Sequence, residues 1–225
     1  MDNIAFHFHA TDMDIIDNYN RLTIGQHMEI RDITMNESLE DIDKQVQILS
    51  ILTGVAEDEL LHLPISEYKE LVVKAGFLNP ENIKSLSVHQ VAKKYIVGGF
   101  ELVPVRDYRK LETGQYIDFQ TYAPDLDKYL VEFLSVILVP KGHRYNEGYD
   151  ILGVQRAIRE EMSVADGVSI AGFFLTLCGT SIKDSLNFSR RMAMGIKDKT
   201  KREEILARIA EQEEALRKSG DGSPM

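Results

Sequence analysis

A short phrase is written twice in this chain. Leu22-Thr23-Ile24-Gly25-Gln26-His27-Met28-Glu29-Ile30 is echoed by Leu111-Glu112-Thr113-Gly114-Gln115-Tyr116-Ile117-Asp118-Phe119. Val46 to Leu52 is then echoed by Val131 to Ile137, and Ala75-Gly76-Phe77-Leu78 by Ala171-Gly172-Phe173-Phe174, in the same order. A true repeat constrains a fold strongly, because each copy must bury its apolar face against a neighbour. Apolar positions and glycines recur here, and no reactive side chains recur with them. The expectation is a mainly α protein, a helical bundle of two related units. These span residues 21–97 and 98–196 and meet at Gly98-Gly99. An N-terminal arm (1–20) precedes them and a charged helix with a turn-like tail (197–225) follows.

Local signals fill in the units. Leu39, Ile42, Val46, Leu49 and Leu52 recur at helical spacing between Ser38, a possible cap, and Gly54, a left-handed stop. Short helices are expected over Ala56–Leu63 and Ser66–Ala75, and another over Leu86–Val97. Phe100 to Val105 alternates like a strand, with Pro104 restricting it to an edge or a strand end. Pro124 and Asp125 launch a helix from Leu126 that Pro140 stops, and Tyr149–Met162 is amphipathic. Ser163-Val164-Ala165-Asp166 is a capping box opening an apolar helix that Gly179 should end, and Ser181 with Asp184 should start another reaching Met194. Asn3 to His9 alternates like a short strand or extended arm. At most one or two short β pairings are expected.

Composition narrows the function. A formal net charge of −10 and a pI near 5.1 argue against general binding to nucleic acid, which needs clustered cations to displace counterions. They argue equally against anionic membranes. Cys178 is the single cysteine, so no internal disulfide can form and a reducing compartment is the simpler expectation. The stretch Val164–Cys178 is too short and too interrupted to span a bilayer, and the first residues lack the pattern of a secretory leader. A soluble protein, or a particle assembled inside a cell, fits.

The usual chemical constellations are missing. There is no phosphate loop, dinucleotide fingerprint, nucleophile elbow or His-Glu-x-x-His pair. His7 and His9 form a His-x-His, and Glu59 and His62 have the spacing of di-metal helical bundles, but no second such pair accompanies them. Cys178 reads as a buried inert thiol. The chain is expected to be no enzyme, with no cofactor, no metal and no small-molecule substrate. Six tyrosines lie between Tyr108 and Tyr149. Tyrosine serves equally well at interfaces and at core edges. The loop from Lys141 to Asp150 places Arg144, Tyr145 and Tyr149 as candidate partner contacts. Ile205, Ile209 and Leu216 form a thin apolar stripe on the charged helix and are further candidates.

Thr113 to Phe119, Leu134 to Pro140 and Tyr149-Asp150 together resemble a group of tail-region and assembly proteins of tailed bacteriophages. Asp43-x-Gln45-x-Gln47-Ile48-Leu49-Ser50-Ile51-Leu52-Thr53-Gly54 resembles the same group, particularly in crAss-like phages. The resemblance covers residues 20 to 180 and rests on core and turn positions. It implies a virion or virion-assembly protein made in the host cytoplasm: a connector or ring subunit, a packaged cargo protein, or a tail assembly chaperone absent from the mature particle. Its partners would be other phage structural proteins and further copies of itself, and it carries over no catalytic residue. A helical metal-dependent enzyme and a regulatory adaptor acting through Lys199–Lys218 remain as readings from other classes.

Overall fold

The computed structural model describes residues 13–79, 82 and 90–194, with residues 203, 206–208, 210–211 and 214 further on. The chain is mainly helical with one small antiparallel sheet. Helices α1 (Ile24–Met35), α2 (Asp41–Thr53), α3 (Glu57–Leu61) and α4 (Ile65–Lys74) come first, α4 running into a 3₁₀ turn over Ala75–Leu78. Strands β1 (Tyr95–Val97) and β2 (Phe100–Pro104) follow. Next come α5 (Thr113–Tyr122), α6 (Leu126–Ile137), β3 (Leu138–Pro140), α7 (Ile151–Glu161) and the long α8 (Val164–Met194). Two compact units emerge. The first holds residues up to Val105 and from Leu111 to Phe173; the second holds Arg106–Lys110 and Phe174 onward.

The first unit is stitched where α1 and α8 begin. Thr23 caps α1 reciprocally with Gln26: the Gln26 N–H donates to Thr23 Oγ1 at 3.2 Å and the Thr23 N–H to Gln26 Oε1 at 3.1 Å. Ser163 caps α8 through its hydroxyl: the Asp166 N–H donates to Ser163 Oγ at 3.1 Å, and that hydroxyl donates to Asp166 Oδ2 at 2.9 Å. The two cap residues form an antiparallel bridge. The Ile24 N–H donates to the Met162 carbonyl at 3.0 Å and the Val164 N–H to the Leu22 carbonyl at 2.9 Å. Leu22, Ile24, Met162 and Val164 are all buried beside it. Helix termini leave orphan N–H groups, and two of them are here satisfied by the opposite segment.

The core around this bridge joins Ile15, Tyr19 and Leu22 to Val46, Leu49 and Leu52 of α2, Leu60 of α3 and Leu71 of α4. Residues 13–20 are therefore part of the packed unit and no free arm, corrected by the burial of Ile15 and Tyr19 and by the Ile16 N–H donating to the Leu52 carbonyl at 2.9 Å. The N-terminal strand expected over Asn3–His9 lies outside the described residues.

Gly98-Gly99 is a hairpin turn inside the first unit, so it is no junction between repeats. Val97 pairs with Phe100, and both glycines take positive φ, +54° and +79°. Two consecutive left-handed residues match the twist of a two-residue hairpin. This also overturns the helix expected over Leu86–Val97 in its described part. The β-branched pair Ile96-Val97 next to a double glycine favours a strand over a helix end, while residues 86–89 lie outside the described residues. β2 pairs on its other side with β3 through Val103↔Val139 and Pro104↔Leu138. Pro104 sits at the strand end, where its missing N–H costs little. The sheet buries Val97, Leu102 and Leu138 on one face and leaves Ile96 and Val103 on the other.

The echoes hold only locally. Both Gly-Gln phrases sit in the first turn of a helix, with Gln26 and Gln115 reaching back to the N-cap N–H; the second bond, Glu112 N–H to Gln115 Oε1, is 3.3 Å. Val46, Leu49 and Leu52 match Val131, Leu134 and Ile137 in burial. The third echo fails: Ala75–Leu78 is a 3₁₀ turn, whereas Ala171–Phe174 lies within α8. That helix runs through Gly179 and through Ser181 to Asp184, so the expected stop and restart are absent. A glycine in a helix interior costs only about 1 kcal/mol, too little to break it alone.

The turn yields a clean test. A Cβ at Gly98 would lie 2.4 Å from Ala157 Cβ in α7, while one at Gly99 meets nothing within 4 Å. Gly98→Ala should therefore cost about 2–4 kcal/mol, combining left-handed strain with overpacking. Gly99→Ala should cost about 1–2 kcal/mol from strain alone. Urea unfolding midpoints at unchanged slope measure both.

Candidate functional site

The loop after β3 carries the three described candidate contacts, and it is clamped to α5. Arg144 Nε donates to Glu112 Oε1 at 2.9 Å, and the Tyr145 hydroxyl donates to Asp118 Oδ2 at 2.7 Å. Within the loop, the Asn146 N–H donates to the Tyr149 hydroxyl oxygen at 3.2 Å, and the His143 ring meets Tyr149 edge-on with centroids 5.7 Å apart. A bridge from Arg144 to Glu147 closes the bend, with Asn146 at φ +55°. Burial, followed by the Asp118 carboxylate, pushes the Tyr145 phenol well above its ordinary range. Tyr145 and Tyr149 are half-buried and Arg144 is exposed. Both phenol oxygens already have partners in the fold, so this loop offers ring edges and the Arg144 guanidinium to the outside. The other candidates, Ile205, Ile209 and Leu216, lie outside the described residues.

Exposed apolar residues form the feature that sequence reading missed. Ile65 and Val73 are 69% and 79% exposed. They are eight residues apart on α4, hence on one helical face, opposite the fully buried Leu71. Leu61, just before α4, is 63% exposed. The signal was present in the sequence: α4 has apolar residues on two faces, more than one core contact needs.

A cleft of about 650 Å³ opens between α1, α6 and α7. Gln26 and Glu29 line it from α1, Glu132 from α6, and Gln155, Arg156 and Arg159 from α7. Gln155 of this lining also joins a short hydrogen-bond chain: its Nε2 donates to Ser135 Oγ at 3.1 Å, and Ser135 Oγ donates to the Glu132 carbonyl at 2.7 Å. A smaller apolar groove of about 290 Å³ lies between α2 and α4, bordered by Ile48, Leu49 and Val72.

Among the described residues no group of three or more His, Cys, Asp or Glu is placed to hold a metal ion. His62 is exposed, with Nδ1 2.5 Å from the Asp58 carbonyl oxygen; His7 and His9 lie outside the described residues. Cys178 is buried, and burial pushes its thiol up to about 11, which keeps it protonated and poorly nucleophilic. No helix among the described residues is long and apolar enough to cross a membrane.

One buried titratable group sits near the α1 cap. His27 Nδ1 is buried without a hydrogen-bond partner, its ring 6.3 Å from that of Tyr19. Desolvation, then the Arg31 charge, lowers its pKa from the ordinary 6.5, and Asp127 opposes them. Arg31 itself donates to the Asp127 carbonyl, holding α1 against the start of α6.

Two outcomes follow. Tyr145→Phe removes one hydrogen bond at a half-buried site and should cost about 1 kcal/mol, with faster amide exchange confined to residues 141–150. For His27, the folded pKa lies below the unfolded one, so the unfolded chain binds the proton more tightly. The stability it contributes is present above pH 6.5 and is lost as the pH falls through the lowered folded value. His27→Gln should therefore flatten the pH dependence of the urea midpoint just below pH 6.5 relative to the parent.

Comparison with protein-family models, with curated proteins and with solved structures finds no match to this chain.

Proposed function

We propose that this chain is a non-enzymatic component of a tailed-phage virion, or of its assembly, and that it works through protein–protein contacts as a connector, ring subunit or packaged cargo. The observation that carries the contact reading is the apolar face of α4. Ile65 and Val73, with Leu61 beside them, present branched side chains to solvent, where single scattered residues would need no explanation. Interfaces concentrate binding energy in a few such side chains, and the exposed Lys69, four residues from both Ile65 and Val73, lies between them on the same face. The phage assignment rests on the resemblance of the Thr113–Phe119 and Asp43–Gly54 phrases to phage tail-region and assembly proteins. A tail assembly chaperone is the alternative within the same reading.

Mass spectrometry of purified virions separates these roles. A connector, ring or cargo protein is present at fixed copy number, and a chaperone is absent. For the contact itself, Ile65→Asp with Val73→Asp should weaken association about tenfold or more. Light scattering of the full chain, alone and with co-purified particle proteins, reads this. Both side chains are exposed, so the thermal midpoint should move little. Unchanged association in the double variant would remove the α4 face from the argument.

A further inference from the structure

The exposed stripe of α4 and the apolar groove beside it are one surface. Ile65, Lys69, Val72 and Gly76 follow one another at spacings of four, three and four residues, so they share one face of α4 and of the turn that ends it. Val72 and Gly76 line the groove of about 290 Å³, and no α4 residue before Val72 does; Ile65 and Lys69 carry the same face on toward the start of the helix. Ile48 and Leu49 of α2 form the other wall, and the Tyr68 hydroxyl donates to Gln45 Oε1 at 3.0 Å, fixing α4 along α2. Asp41, at the start of α2, lines the groove together with Gly76 and Leu78. Two charges on this surface lack partners: Asp41 and Lys69 are exposed, and neither forms an ion pair among the described residues. The other cation of the groove, Lys44, donates to the Thr34 carbonyl at 3.2 Å. Glu37, Glu40 and Asp43 are exposed around the start of α2 and make that end acidic. On α4, Glu70 and Lys74 lie off the stripe, and the acidic residues Glu57, Asp58 and Glu59 of α3 precede its opposite end. Lys69 is the one charge within the stripe.

We propose that this surface pairs with itself in a second copy of the chain. It is cationic along the stripe and acidic at the groove end, and a two-fold axis turns each half onto the other. With the axis near Val72 and Val73, the two α4 stripes run antiparallel. Val72 then packs against Val73 of the second copy, and Lys69 reaches the turn at Gly76 of the second copy, where Asp41 of that copy lines the groove. The reverse contact forms by symmetry, as an isologous interface requires. An axis through Lys69 would set like charges together, so the charges choose the register. Gly76 permits the approach: it is exposed, a Cβ there would meet nothing within 4 Å in its own copy, and its φ is not positive. Burial of the valines and the groove walls supplies affinity, and the two Lys–Asp pairs supply specificity. The proposal rests on the reading of α4 as a contact face and names its occupant. The contact is closed, so by itself it gives a dimer, and a ring would need another surface.

The test is self-association of the full chain. Sedimentation equilibrium of the chain alone should show monomer and dimer in exchange. Lys69→Glu and Asp41→Lys should each raise the dimer dissociation constant about tenfold or more, because each turns two attractive pairs into two repulsive ones. An equimolar mixture of the two variants should dimerise again, since both cross-pairs then join opposite charges. Gly76→Gln should weaken the dimer through bulk alone. It stands as the test if a lysine in the first turn of α2, which opposes the helix dipole, impairs folding. A chain that stays monomeric at every concentration reached overturns the proposal, as do charge reversals or a Gly76→Gln variant that leave the dimer unchanged, or a mixture that fails to recover. If the chain alone is monomeric while Ile65→Asp with Val73→Asp still weakens its binding to particle proteins, the dimer falls and the α4 contact face stands.

Discussion

The antiparallel bridge between Thr23 and Ser163 is the contact on which the first unit depends. Two capped helix starts, far apart in sequence, exchange backbone hydrogen bonds, Ile24 to Met162 and Val164 to Leu22. Buried backbone groups must be paired, so this exchange fixes the register of α8 against α1 to one residue. The four buried side chains around it leave no room for a slipped alternative. Because α7 ends at Glu161, immediately before the bridge, the same contact also sets where α7 lies along α1. The cleft between them is a consequence of that placement.

The hairpin is held by the same helix. Gly98 donates its N–H to Glu161 Oε2 at 2.7 Å and comes so close to Ala157 that no side chain fits. α7 thus serves two neighbours: its buried residues Val154, Ala157 and Ile158 face the interior, while Arg156 and Arg159 border the cleft. A helix pinned at its end by backbone bonds and along its side by a turn cannot shift without cost.

Much of this organisation was legible in the residues. The Ser163/Asp166 cap is local and readable, and local side-chain geometry is enough to start a helix; the caps Thr23/Gln26 and Glu112/Gln115 emerge only in the structure. Gly54 ends α2 in the left-handed conformation at φ +69°, and Asp125 caps α6 by accepting from the Lys128 N–H, for the same reason. The repeat was harder to judge. Its phrases share caps and apolar spacing, and these dictate helices wherever they occur. They do not dictate that two helix pairs sit in equivalent surroundings, and Ala75–Leu78 and Ala171–Phe174 show that they need not. The tyrosine-bearing loop was readable as a polar segment, but its clamps to Asp118 and Glu112 join residues roughly thirty positions apart, beyond any local signal.

The sequence by itself determined the helical class, most helix starts and the absence of a recognisable catalytic motif, because caps and apolar periodicity act within a few residues. Only the tertiary structure decided the rest. It turned Gly98-Gly99 from an apparent junction into a hairpin turn, drew residues 13–20 into the core, and carried α8 through Gly179. Those outcomes depend on which distant segments share backbone hydrogen bonds and buried surface, and such pairings are settled by the whole packed unit and not by any stretch of it.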